Sequence, residues 1–174
     1  MEKKFELTDN FIINAFGVKL FQIKCTKSFK YAKEGDLGGY VEKDENLDQE
    51  SDAWVYGNAW VYGNARVSGN AEVSGNARVY GDARVYGNAE VYGNAEIDNN
   101  NKHCGFDCFG SANRHTHAYL TKENKVEITC GCFRGSIEEF EKRVEETHSG
   151  TIYEKQYKAI IDVIKIKFGL TDLI

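Results

Sequence analysis

The chain has 174 residues, 41% of them hydrophobic and 28% charged, with a formal net charge of −5 at neutral pH. That composition describes one globular domain or two small ones and excludes an intrinsically disordered chain. No apolar run reaches the roughly 18 residues a membrane-spanning helix needs, so no membrane is expected as partner, and the acidic balance argues against nucleic acid as partner.

The first ten residues, MEKKFELTDN, lack an apolar core with a cleavage site, so no signal peptide and a cytoplasmic location are expected. Five Cys in that setting are read as reduced thiols. Residues 5–33 read as short strands, FELT, FIINAF and VKLFQIKCTKSF, with turns at Asp9-Asn10 and Gly17. Lys19, Lys24, Lys27, Lys30 and Lys33 form a basic stripe here, read as a solvated face. The segment GDLGGYVEKDENL then leads into a repeat.

Residues 53–97 repeat every six positions as A-W-V-Y-G-N and its variants. The aliphatic position is Val55, Val61, Val67, Val73, Val79, Val85, Val91 and Ile97. A small residue, Ala59 through Ala95, follows four places after each Val. This period fits neither a heptad nor a plain alternating strand. It fits a chain that turns a corner in every hexad, with Gly-Asn at the corner because both residues tolerate positive φ. Val41 and Leu47 continue the step upstream, with a two-residue insertion before Val55.

The pattern aliphatic-x-x-x-small-x resembles the hexapeptide repeat of the left-handed parallel β-helix. The resemblance implies three hexads per coil and about three coils, and it implies a homotrimer. Stacking on that basis places Trp54, Glu72 and Glu90 in one column, Trp60, Arg78 and Glu96 in a second, and Arg66 and Arg84 in a third. These side chains, and the Tyr two places on, are expected to point outward. They form either an aromatic ladder in water or a subunit interface.

After Asn99-Asn100-Asn101 the hexads stop. Residues 115–121, a KENK turn and residues 126–133 read as a β-hairpin. Ser136 with Glu139 forms a capping box for one helix, and Thr151 with Glu154 starts another that ends at Gly169. The expected architecture is therefore mainly β. It has an N-terminal β cap over 1–40, a short left-handed parallel β-helix over 41–100 and a C-terminal α+β (ββαα) domain over 101–174. GDLGGYVEKDENL, the WVYGNA repeats and GCFRGSIEEFEKRVEETH together resemble short hexapeptide-repeat proteins of phages and prophages, often labelled transferases on the repeat alone.

Acyltransferases of this fold use a His at the cleft between subunits as general base, and residues 41–100 contain none. The same gap argues against the zinc enzymes of this fold. All four His lie at 103, 115, 117 and 148. His115, His117, Cys130 and Cys132 offer tetrahedral zinc ligands only if their strand faces coincide, and the H-x-H and C-x-C spacings are not the common ones. Cys132 with His148 is conceivable as a nucleophilic pair, but nothing in the local sequence marks one. No catalytic residue, resident metal or cofactor is assigned.

The best ligand candidate is the segment 109–119 together with Arg134. Ser111 sits in a Gly-Ser turn, Arg114 offers a fork for an anion, and His115, His117 and Tyr119 follow. Arg134 lies in a second Gly-flanked turn before a helix. Pairing of both Arg with nearby Glu is the structural alternative. Two functional readings follow. The first is a non-enzymatic oligomer that binds an anionic, nucleotide-like molecule. The phage-type resemblance points to a host immune signal such as a cyclic dinucleotide or an ADP-ribose derivative. The second is an acyl-CoA-dependent transferase. A purely structural trimer is also open.

Overall fold

The computed structural model describes residues 3–171, and the chain divides into two compact units, Met1–Asn100 and Asn101–Ile174. No helix among the described residues is long and apolar enough to cross a membrane.

In the first unit the hexads wind as a parallel β-solenoid of about three turns. Strands β1 (Phe5–Ile13), β2 (Lys19–Cys25) and β3 (Leu37–Val41) precede eight two-residue strands. These are β4 (Trp54–Val55), β5 (Trp60–Val61), β6 (Arg66–Val67), β7 (Glu72–Val73), β8 (Arg78–Val79), β9 (Arg84–Val85), β10 (Glu90–Val91) and β11 (Glu96–Ile97). Three parallel faces result: β4-β7-β10, β5-β8-β11 and β6-β9. Trp54 lies against Glu72, Trp60 against Arg78 and Arg66 against Arg84, as the three-hexad coil requires. Upstream, Val41 pairs with Val61 and Leu47 with Val67, so the two-residue insertion is absorbed without breaking the column.

The physical logic of the hexad is visible in burial. Every repeat Val and Ile97 is 0% exposed, and the repeat Ala are nearly as buried. Each Val gains its burial only from the coils above and below, so the coils are stable together and not singly. The corner glycines face two constraints. Gly69 has φ +71, and a Cβ there would lie 2.9 Å from the Gly87 nitrogen in the next coil. Gly57 has φ +55 but open space around it. Gly69→Ala is therefore expected to cost about 3 kcal/mol and Gly57→Ala only about 1 kcal/mol, because only the first adds a backbone clash to the left-handed strain. Urea unfolding of the two variants measures the difference.

Three devices cover the start of the solenoid. Strand β3 adds to β5, so β1-β2-β3-β5-β8-β11 is one sheet with β1–β3 antiparallel and the remainder parallel. Leu47 bridges to Val67 on a second face. On the third face the Ala53 carbonyl has no coil before it. The Lys4 ammonium stands in for the missing amides, donating from Nζ to Ser51 O at 2.7 Å and to Ala53 O at 2.8 Å.

Two expectations for this unit are corrected. Trp54 does not point into water; it is 1% exposed, with the rings of Phe5 at 6.3 Å and Phe29 at 5.4 Å packed edge-on against it. The N-terminal segment covers that column in cis. Asp9-Asn10 is not a turn either. Strand β1 runs through it with a register shift between Leu7 and Phe11. Thr8 Oγ1 donates to Gln22 O and accepts from Asn10 N, so side chains satisfy the bulge and pairing with β2 continues. The Gly17 turn is present, with φ +80. On the β5-β8-β11 face Tyr62 and Tyr80 stack at 5.0 Å and Arg78 lies over the Trp60 ring at 4.4 Å, while on the β6-β9 face Tyr86 is 66% exposed.

The second unit is an antiparallel meander, β12 (His103–Phe109), β13 (Arg114–Leu120), β14 (Val126–Cys130) and β15 (Phe133–Ser136), followed by α1 (Ile137–His148) and α2 (Ile152–Lys167). The expected hairpin is β13–β14, in register from Thr116↔Cys130 to Leu120↔Val126. It gains an outer strand on each side. Strand β12 is hard to read because Cys108 adopts φ 63 inside a register shift. Ser136 and Glu139 form the capping box, and Thr151 accepts from Glu154 N at the head of α2. Phe140 and Val144 of α1 and Tyr157, Ile160, Ile161 and Ile164 of α2 pack on Ala118, Val126, Ile128 and Cys130 of the sheet.

Candidate functional site

Alternation along β13 separates the residues that sequence reasoning grouped together. Thr116 and Ala118 face the helices: Ala118 is in their core, and Thr116 Oγ1 donates to Cys130 Sγ at 3.3 Å. Arg114 shares their parity, so it reaches the helix side. His115, His117 and Tyr119 share the other face.

On the helix side lies a cavity of about 150 Å³. Arg114, Cys130, Cys132 and Phe133 line it from the sheet; Phe140, Arg143, Val144, Thr147 and His148 from α1; Tyr157 from α2. Its wall is aromatic. Phe133 and Phe140 lie 5.0 Å apart, Tyr157 meets Phe140 edge-on at 5.6 Å, and His148 stacks on Tyr157 at 5.4 Å. Burial and the neighbouring Cys130 push the Tyr157 hydroxyl up to about 12, against the pull of Arg114, so it stays a neutral donor. Arg114 is placed by the β14–β15 turn. Gly131 has φ +58, which favours glycine, and a Cβ there would lie 2.7 Å from Arg114 Nη1, so the guanidinium takes the space that a side chain would occupy.

Among the described residues, no Asp or Glu lines the cavity. Among the described residues, neither Arg114 nor Arg143 is ion-paired. Both guanidiniums are exposed, with no ion-pair partner of their own among those residues, and planar forks suit a phosphate or carboxylate. A wider groove of about 490 Å³ on the solenoid contrasts with it. There Arg66, Arg84 and Lys43 are interleaved with Glu45 and Asp82, so the charges offset each other locally.

The opposite face of the sheet holds a different network. His115 Nδ1 and Asp107 Oδ1 are 2.7 Å apart, His103 Nδ1 and His117 Nε2 share a hydrogen bond of 3.0 Å, and Tyr119 donates to Glu127 Oε2 at 3.2 Å. His115 lies over Gly105, where a Cβ would come 2.6 Å from its Cε1. His117 is 1% exposed and Tyr119 0%. Arg134, paired with Thr129, is exposed on this same face. Ser111 is exposed in the β12–β13 turn, which Gln156 Oε1 ties to α2 by accepting from Gly110 N. Of the six candidate ligand residues, Arg114 alone lines the cavity.

The zinc alternative fails on geometry. His117 faces away from the helices while Cys130 lies in the helix-side core, so the two His and two Cys do not converge. Among the described residues, no group of three His, Cys, Asp or Glu is arranged to hold a metal ion. Cys132 and His148, by contrast, do line one cavity.

A family model described as the YdcK beta solenoid repeat matches residues 59–75 and 71–87. The chain is a β-solenoid repeat protein. No curated protein matches it. Both matched stretches fall inside the β-solenoid, which has the three-faced register described above, and the cavity lies in the other unit. The β-solenoid fold therefore carries no information about what the cavity holds. His148 was weighed only as a partner for Cys132, and Arg143 and Thr147 were not singled out, because α1 was read from its capping box and apolar positions alone. Their signal was the i, i+4 spacing of Arg143 with Thr147 and of Val144 with His148, one turn after Phe140.

Proposed function

We propose that this β-solenoid protein is a non-enzymatic binding protein whose C-terminal unit takes an anionic, phosphate-bearing, nucleotide-like small molecule. The observation that carries this reading is the pair of guanidiniums without ion-pair partners, Arg114 and Arg143, at one aromatic-walled cavity without a carboxylate. A volume of about 150 Å³ suits the anionic group of such a ligand, with the rest lying outside. The repeats are scaffold. Residues 41–100 contain no His, so acyl transfer finds no general base on the solenoid. Exposed Tyr86, beside exposed Arg66 and Arg84 on one flank, supports self-association of the solenoid into a trimer. Light scattering then gives a mass near three times 19.7 kDa, and a mass of 19.7 kDa removes the trimer from this reading.

Calorimetric titration with inorganic phosphate, ADP-ribose and cyclic dinucleotides tests the binding function. At least one ligand is expected to bind, and Arg143→Ala is expected to weaken it by at least about tenfold, the effect of one lost charge-assisted contact. Sequestration of a signalling nucleotide is the biological form of this reading. It requires tight binding of the intact ligand without turnover. Absence of heat across the panel refutes the reading.

A further inference from the structure

The cavity also contains a nucleophile that anion binding does not use. Among the cysteines, Cys25 and Cys130 are buried and Cys104 is partly buried, while Cys108 and Cys132 are exposed. Only Cys130 and Cys132 line the cavity, and Cys130 is 6% exposed and accepts from Thr116 Oγ1. Cys132 therefore combines access to solvent with the company of Arg114, Arg143 and His148. The guanidiniums draw in reagents of negative charge, and the exposed sulfur is open to disulfide exchange.

We propose that Cys132 is a modification site for anionic disulfides of the glutathione class, with Arg114 and Arg143 receiving the carboxylates of the incoming molecule. The Cys132 thiol first gives its proton to solvent. Its thiolate then attacks one sulfur of oxidised glutathione. A Cys132–glutathione disulfide forms, the original S–S bond breaks, and one glutathione thiolate leaves and takes up a proton. The protein sulfur is oxidised, the departing glutathione is reduced, and no further reactant enters. The adduct fills the mouth of the cavity, so modification competes with ligand binding. The inference rests on the same guanidiniums as the proposed function but on different chemistry.

Cys108 is a control within the same chain, exposed but outside the cavity. The native protein is treated with oxidised glutathione, and in parallel with cystamine, a cationic disulfide of similar reactivity. Adduct formation is timed by intact mass and located by peptide mapping. With oxidised glutathione, Cys132 is expected to react at least about tenfold faster than Cys108, and with cystamine this preference disappears. Arg143→Ala slows the glutathione reaction at Cys132 and leaves Cys108 unchanged. Equal rates at Cys132 and Cys108 with oxidised glutathione, or an equal preference with cystamine, overturn the proposal. Phosphate titration of the untreated protein separates the two ideas. Binding with an unreactive Cys132 refutes this inference alone, and a selective Cys132 without anion binding refutes the proposed function alone.

Discussion

Trp54→Ala is expected to lower the stability of the solenoid unit by about 4 kcal/mol, within the usual range for a large aromatic removed from a core. The indole is 1% exposed, with Phe5 and Phe29 packed edge-on against it. These two contacts come from widely separated parts of the N-terminal segment. Removing the indole opens a void between that segment and the first coil, and the rigid coil cannot collapse into it. The chain has two Trp, so the variant retains Trp60 as a fluorescence reporter. A loss below about 1 kcal/mol in urea unfolding is what an exposed Trp gives, and it contradicts the buried position described here.

Lys4→Met is expected to cost about 3 kcal/mol, since one buried and one part-buried carbonyl lose the ammonium donor while the apolar stem is retained. The same residue gives the protein a distinctive pH response. Burial pulls Lys4 down to about 8, with Asp48 and Asp52 resisting. Below pH 8 the amine is charged in both folded and unfolded chains. From pH 8 to the ordinary lysine range the unfolded chain binds more protons, so stability rises with pH across that window. Tyr56 and Tyr80 act the other way. Burial, the largest influence, and neighbouring carboxylates raise both above the ordinary value of 10, so above that value their unfolded forms lose protons first and stability falls. The Cys25 thiol, also raised by burial, opposes the rise above its ordinary value of 9, so the expected profile is a rise that begins near pH 8 and flattens above 9, followed by a fall above 10. Lys4→Met removes the rise and leaves the fall.

The solenoid was legible because its information is periodic. Val, Ala and Gly-Asn recur at fixed spacing, and each recurrence states the same local geometry, so even the two-residue insertion before Val55 was readable from Val41 and Leu47. The fate of Trp54 was not legible. Its outward position in the hexad is correct locally, but Phe5 and Phe29 cover it through contacts that no local pattern encodes. The same holds for Lys4, whose partners Ser51 O and Ala53 O are backbone groups without sequence identity.

The candidate site was half legible. Arg114 was singled out, and strand alternation already placed it on the face opposite His115, His117 and Tyr119. Reading 109–119 as a single ligand loop hid that separation. The second guanidinium, Arg143, comes from α1, and only the packing of α1 on β13–β15 brings it to the same cavity.

The proposed binding function requires an anion seat between Arg114 and Arg143. The most direct measurement is a phosphate titration of nitrogen-labelled protein, following the arginine side-chain resonances by NMR. Saturable shifts at Arg114 and Arg143, with Arg66, Arg84 and Arg134 unmoved, are the predicted result. Shifts confined to the solenoid arginines, or none at Arg114 and Arg143, contradict it.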